Sequence, residues 1–442
     1  MIVKNNKIYL VRTAGIGFFL FFSAALFSQE LLTEEKAVAQ ALFSNYSILI
    51  AKNDSAISDA AFTLGNAGIL PRLDLNAGGS VQGTSINQRF SNGLEVSTSG
   101  VTGNGLNASA DLGWTLFDGG RMFINYSSLK TNKDLSELNL KAAAENITEQ
   151  VLINYYDIIR RTQELKASQL ALELAKEQLL IIEKKFEIGS ASRQEVLQAK
   201  IDKNAALSNQ LTMQTELENI KTALNRLMGI SPEIEYVYDD SKKRSFSKSL
   251  DEVIKNADQV NTSLLQAKTD QRLMNLNLKG IKAERYPVLN LNVAYAYNRT
   301  SSTAGFALFN QSNGPNAGLT IGWNLFNGSQ LNSRIKQAEL QIQNSDLIIK
   351  DTQALIKANA IVAYRQLLRY RELLELEKEN AFFAEDNYKL ALERLRLGEA
   401  NILIVKEANR SYEAAVARLS AASFQTIQAE VQLLRLAGEL VK

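Results

Sequence analysis

The sequence predicts a mainly α-helical fold with a small membrane β part, arranged as a two-fold internal repeat. Three observations predict it. The only two tryptophans lie in matching frames: Gly113-Trp114-Thr115-Leu116-Phe117-Asp118-Gly119 parallels Gly322-Trp323-Asn324-Leu325-Phe326-Asn327-Gly328, 209 residues later. Pro71-Arg72-Leu73-Asp74-Leu75 parallels Pro287-Val288-Leu289-Asn290-Leu291 at an offset of 216. Each tryptophan block is followed by a long stretch, 121–186 and 330–397, with neither Pro nor Gly. A fixed offset across such distances marks an internal repeat. The seven-residue difference between the offsets places a longer loop in the first copy, between its proline and its tryptophan.

The chain opens on a targeting pattern. Lys4, Lys7 and Arg12 precede an apolar run from Ala14 to Phe27, and small or polar residues follow. This is the layout of a secretory signal peptide over residues 1–28, and the run is too short for a confident membrane-spanning helix. Removing it takes three of the 49 Lys/Arg and none of the 47 Asp/Glu, leaving a net charge of −1. A near-neutral chain makes no electrostatic case for nucleic acid. The absence of Cys and His excludes disulfides and thiolate chemistry and removes the commonest general base and metal ligand. No nucleophile elbow, phosphate loop, dinucleotide fingerprint or metal-ligand cluster appears, so no enzyme, cofactor or metal site is expected.

Within each copy the elements follow one order: 29–229 for the first repeat, 250–442 for the second, and 230–249 as the linker between them. An amphipathic helical stretch, Leu32 to about Asn66 or Leu250 to about Glu284, ends at a proline. Two alternating stretches follow, about 72–116 and 288–325. Leu73, Leu75, Ala77 and Val81 alternate with Asp74, Asn76, Ser80 and Gln82, and Leu289, Leu291, Val293, Tyr295 and Tyr297 alternate largely with Asn. Period two gives one apolar and one polar face. Gly/Ser/Asn/Thr-rich connections, roughly 83–105 and 299–315, join the paired strands. The stretch 121–186 then makes a helical rod about 100 Å long; it breaks at Gly189 and returns to Met228. The second copy turns at Gly398 and returns to Ala437.

The alternation alone favours a sheet packed on helices over a sheet in lipid. An export signal and polar faces with almost no charge favour lipid. Trp114, Phe117, Tyr286, Trp323 and Phe326 are then membrane-interface aromatics. Four strands cannot close a barrel, since the smallest membrane barrels have eight, and open edges are not tolerated in lipid. Membrane insertion therefore requires several chains. The competing reading is a periplasmic coiled-coil scaffold or adaptor that never enters the outer membrane.

On its repeat of helix, strand pair and helical hairpin, its Gly-Trp-x-Leu-Phe-(Asp/Asn)-Gly blocks, and its turns at Gly189-Ser190-Ala191-Ser192-Arg193 and Gly398-Glu399-Ala400-Asn401, the sequence resembles the TolC family of outer-membrane efflux and type I secretion channels. The resemblance covers about residues 32–440. It implies a homotrimer with a twelve-stranded β-barrel, four strands per chain, continued by a long periplasmic α-helical barrel. It also implies a periplasmic adaptor (membrane fusion protein) and an inner-membrane RND or ABC pump as partners. The tip turns, with Gly189, Ser192, Gly398 and Asn401, would be the adaptor-docking end. Arg193, Glu195 and Glu407 are the candidate pore constriction, with their reading as solvated surface charges left open. Ile404 stands where the family often carries an acidic residue.

Overall fold

The computed structural model describes residues 31–241, 246–305, 307–397 and 399–441. The expected signal peptide and Gly398 lie outside the described residues. The fold is mainly helical. Its elements in order are β1 (Leu31–Leu32), α1 (Glu34–Ser44), α2 (Tyr46–Ala61), β2 (Arg72–Arg89), β3 (Glu95–Phe117), α3 (Arg121–Glu187) and α4 (Arg193–Leu227). Then follow β4 (Val237–Tyr238), α5 (Leu250–Val260), α6 (Thr262–Ala283), β5 (Val288–Ser302), β6 (Phe309–Gly322), α7 (Gln330–Arg396) and α8 (Ile402–Leu436).

The two longest helices, α3 and α7, each have 67 residues, and their return helices α4 and α8 each have 35. At 1.5 Å per residue these are rods of about 100 and 50 Å. Their length follows from the lack of Pro and Gly, but length alone does not stabilise a helix in water; packing of one face does. α3 packs on α4, α6, α8, α2 and α1, and α7 packs on α8, α6 and α5. One buried cluster joins Ile48, Val151, Tyr155, Ile158, Leu224 and Met228, and another joins Val253, Ala360, Ala363, Leu367 and Leu433.

Two helices predicted as single pieces are broken. Asn45 separates α1 from α2 and Asn261 separates α5 from α6, both with extended backbone. Each asparagine caps the following helix, its Oδ1 accepting from Ser47 N at 2.9 Å or Leu264 N at 3.2 Å. Each also donates its Nδ2 to the end of a return helix, Asn45 to Leu227 O at 2.8 Å and Asn261 to Leu436 O at 3.2 Å. The chain then turns at Gly229 (φ 66°) and Gly438 (φ 68°). A Cβ on Gly229 would lie 2.4 Å from Ser44 O, and one on Gly438 2.9 Å from Val260 O. No side chain fits there.

The strands form one antiparallel sheet in the order β2-β3-β5-β6, and β1 pairs in parallel with β4. Strand reaches further than the alternating apolar residues indicate. β2 runs to Arg89 and β3 starts at Glu95, inside the expected connection, because ladder hydrogen bonds do not depend on apolar side chains. In the second half β5 runs to Ser302 and β6 starts at Phe309, again inside the expected connection, but β6 ends at Gly322, so Trp323 to Phe326 lie beyond the strand.

Candidate functional site: an uncovered sheet face and two helical tips

Register decides which residues share a face. Leu73 pairs Leu112, which pairs Val293, which pairs Ala317; Leu75, Ala110, Tyr295 and Pro315 form the next row. Trp114, Leu291 and Leu319 continue the same face toward the helices, followed by Leu289 and Ile321. The opposite face carries Asp74, Asp111, Ala294 and Asn316 in one row and Asn76, Ser109, Ala296 and Gly314 in another. Its polar groups bond one another: Asp111 Oδ2 accepts from Ser109 Oγ at 2.6 Å and Asn76 Nδ2 at 2.9 Å, and Thr115 Oγ1 donates to Asn290 Oδ1 at 2.9 Å.

Among the described residues, nothing covers the apolar face. Leu75 is 82 % exposed, Leu319 65 % and Ile321 71 %, and no helix packs along the sheet. An apolar surface of this extent marks an interaction site or a membrane. The outer edges of β2 and β6 have no strand partner among the described residues.

The predicted interface aromatics sit at the helical end of that face. Trp114, Phe117, Tyr286, Trp323 and Phe326 are all exposed. Trp114 Nε1 donates to Ile69 O at 2.9 Å and Trp323 Nε1 to Arg285 O at 3.0 Å, so each indole is anchored to the backbone just before its strand pair. An apolar ring with a satisfied polar edge is suited to a boundary between phases.

At the far end of the rods, Gly189 (φ 76°) turns the chain with open space around its Cα. Ser192 caps α4: its side chain accepts from Glu195 N at 3.2 Å, and the Glu195 carboxylate accepts from Ser192 N at 2.6 Å. The backbone N–H of Ser192 first, and its hydroxyl second, hold the Glu195 carboxyl below its ordinary pKa. A carboxylate at a helix N-terminus also gains from the helix dipole. Asn401 caps α8, its Oδ1 accepting from Leu403 N at 3.2 Å. Arg193, Ile404 and Glu407 are exposed. No hydrogen bond or ion pair joins Arg193, Glu195 and Glu407 within the chain. The neighbouring link between the two hairpins is instead Lys406 Nζ to Asp202 Oδ2, at 2.6 Å.

Sequence reasoning missed three features here. Asp202 and Lys406 carry no local signal as a pair 204 positions apart. Asn45 and Asn261 are legible only through their partners on α4 and α8. Tyr155 is buried where β1, β4 and α3 meet, and its hydroxyl donates to Leu32 O (2.8 Å) while accepting from Asp239 N (3.0 Å). Burial pushes its pKa up.

The chain matches the family model described as outer membrane efflux protein over residues 37–230 and 253–439. It is 26% identical over 306 residues to the outer membrane protein TolC of Salmonella enteritidis, a match covering 65% of this chain and 58% of that protein. It is 24% identical over 405 residues to TolC of Vibrio cholerae, covering 87% and 86%. The match to the Salmonella relative thus spans less than two thirds of that protein's length. Its fold is similar to the crystal structure of the Campylobacter jejuni CmeC outer membrane channel, with a TM-score of 0.76 at 18% identity over 92% of this chain and 85% of that one. It is also similar to the outer membrane protein VceC of Vibrio cholerae, with a TM-score of 0.69 at 16% identity over 92% and 96%. With the matched segments taking in most of both halves of the chain, this protein belongs to the outer membrane efflux protein family and is a TolC-family protein of the outer membrane that extends into the periplasm.

Proposed function

We propose that three copies of this chain form one exit duct: a twelve-stranded barrel in the outer membrane, continued across the periplasm by a barrel of the α3–α4 and α7–α8 hairpins. The observation that carries this reading is a four-stranded sheet with two unpaired edges and one uncovered apolar face. Unpaired backbone groups are not tolerated in hydrocarbon. Pairing β6 of one copy with β2 of the next removes both edges, and closure in a ring is the way a head-to-tail contact ends.

The duct arises from a duplication, 29–229 and 250–442 with the linker 230–249 between. The equal helix lengths support this, as do the recurring bonds: Asn45 to Leu227 and Asn261 to Leu436, Trp114 to Ile69 and Trp323 to Arg285, each pair of bonds related by the offsets of 216 and 209. The aromatic row of Trp114, Phe117, Tyr286, Trp323 and Phe326 marks the inner membrane–water boundary. The turns at Gly189, Ser192, Gly398 and Asn401 form the periplasmic end, where a membrane fusion protein docks and couples the duct to an inner-membrane RND or ABC pump. Glu195 and Glu407, repeated three times, attract cations at the narrow end, and Arg193 tempers them. Conduction is passive: the pump selects the cargo, and opening separates the tip helices.

Reconstitution in planar bilayers tests the reading. It predicts discrete ion-conducting steps from detergent-purified protein. A protein that stays soluble without detergent and conducts nothing would favour the scaffold reading instead.

A further inference from the structure

Where α6 passes into β5 and β6 passes into α7, the chain forms an open cavity of about 890 Å³. Tyr286, Trp323 and Phe326 wall it, and Arg121, Arg285 and Asn332 lie on its polar side. The charges around it are unequally engaged. Asp118 is buried and caps α3, its Oδ1 accepting from Met122 N at 3.2 Å, with Arg121 Nε 3.8 Å from the carboxylate. Glu284 is gripped by both terminal nitrogens of Arg334. Among the described residues, Arg285 has no carboxylate at ion-pair distance. Its Nη2 donates to Asn332 Oδ1 at 3.3 Å, a long hydrogen bond. A guanidinium has five N–H donors, so most of its capacity is left for a ligand.

The first half of the chain supplies the comparison. Trp114 bonds the carbonyl of Ile69 as Trp323 bonds that of Arg285, so the scaffold is the same. Yet Ile69-Leu70 stands before Pro71 where Arg285-Tyr286 stands before Pro287. The cation and the phenol belong to the second half alone, and the anchoring bond needs neither.

The cavity lies at the helical end of the uncovered apolar face, just past Leu289 and Ile321. On the reading of that face as lipid-facing, this is the headgroup level of the periplasmic leaflet. Trp and Tyr sit at that level in membrane proteins, and arginine pairs with phosphate through two parallel N–H donors. Basic pockets at membrane interfaces bind anionic headgroups. We propose that this cavity binds the headgroup of an anionic phospholipid, with Arg285 on the phosphate and Tyr286 and Trp323 against the glycerol and upper acyl chain. The proposal rests on the lipid-facing reading.

Trp114→Phe leaves Trp323 as the single tryptophan, so its fluorescence reports this site alone. In phosphatidylcholine vesicles, quenching by brominated phosphatidylglycerol should exceed quenching by brominated phosphatidylcholine, with a binding preference of about fivefold. Arg285→Gln should abolish the preference and Arg285→Lys should keep most of it. Equal quenching by the two lipids, or a preference that survives Arg285→Gln, would overturn the headgroup site while leaving the lipid-facing reading intact. No quenching by either lipid would overturn both. Native mass spectrometry of the detergent-purified wild type and Arg285→Gln gives a check without Trp114→Phe. The wild type should retain more phosphatidylglycerol than the variant, and equal retention would contradict the site.

Discussion

Trp323 and Arg285 lie 38 positions apart, and the indole Nε1 of the first donates to the carbonyl of the second at 3.0 Å. The bond ties the end of the strand pair β5–β6 to the helix that feeds it. Trp114 and Ile69 make the same tie for β2–β3. A neutral hydrogen bond of this kind contributes about 0.5–1.5 kcal/mol net, and partial exposure puts both at the lower part of that range. Replacing either tryptophan by phenylalanine keeps most of the ring and removes the donor. Each change should lower stability by about 0.5–1 kcal/mol in urea unfolding followed by circular dichroism, and by similar amounts in the two halves.

The glycines separate by what surrounds them. Gly229 has a left-handed backbone and a carbonyl oxygen 2.4 Å from where a Cβ would sit; Gly189 has the same backbone with nothing nearby. Gly189→Ala should cost only the conformational penalty, about 1 kcal/mol. Gly229→Ala adds displacement of the Ser44 carbonyl and should cost at least about 2 kcal/mol. Gly438→Ala, facing Val260 O, should resemble Gly229→Ala. The ranking in chemical denaturation is the test, and equal costs at Gly189 and Gly229 would contradict the packing described for the middle of the rods.

Tyr155 holds the ends of two strands with one hydroxyl, donating to Leu32 O and accepting from Asp239 N. Tyr155→Phe removes these bonds from a buried place while Asp239 N still donates to Leu32 O at 3.1 Å, so the cost should be about 0.5–1.5 kcal/mol. The local consequence is loosening of the β1–β4 pair and the linker after it. Limited proteolysis should cut the segment 239–249 faster in Tyr155→Phe than in wild type, with the helical hairpins protected in both.

The length of the rods was legible because helix breakers are absent from 121–186 and 330–397, and the observed α3 and α7 end within a residue of those limits. The tip at Gly189 was legible for the same reason. The breaks at Asn45 and Asn261 were not, since neither residue forbids a helix and the partners that favour the break lie on α4 and α8. The outer parts of β2 and β3 were read as connection because Ser, Thr, Gly and Asn there show no apolar period. Of the candidate sites, the matching places of Trp114 and Trp323 and of Phe117 and Phe326 followed from the repeat, whereas the charge left open at Arg285 emerged only once Glu284 was seen engaged by Arg334.

Glu195 allows its capping and pore roles to be separated. Its pKa is lower in the folded chain, so its stabilisation of the α4 start is complete above the ordinary carboxylate value near 4.5 and is lost as pH falls through the lowered value. Glutamine also serves in a capping box. Glu195→Gln should therefore keep the helix start and remove the acid-dependent loss of amide protection at residues 193–196 in hydrogen exchange. In planar bilayers, Glu195→Gln and Glu407→Gln should each reduce cation preference. An unchanged preference in both would remove them from the constriction.

The central claim is that one chain holds a third of a barrel, and the mass of the detergent-purified complex tests it most directly. Native mass spectrometry of the full-length protein should give three chains per particle. A particle of one chain would leave the β2 and β6 edges open, and a particle of two would close eight strands in place of twelve; either result would contradict the account.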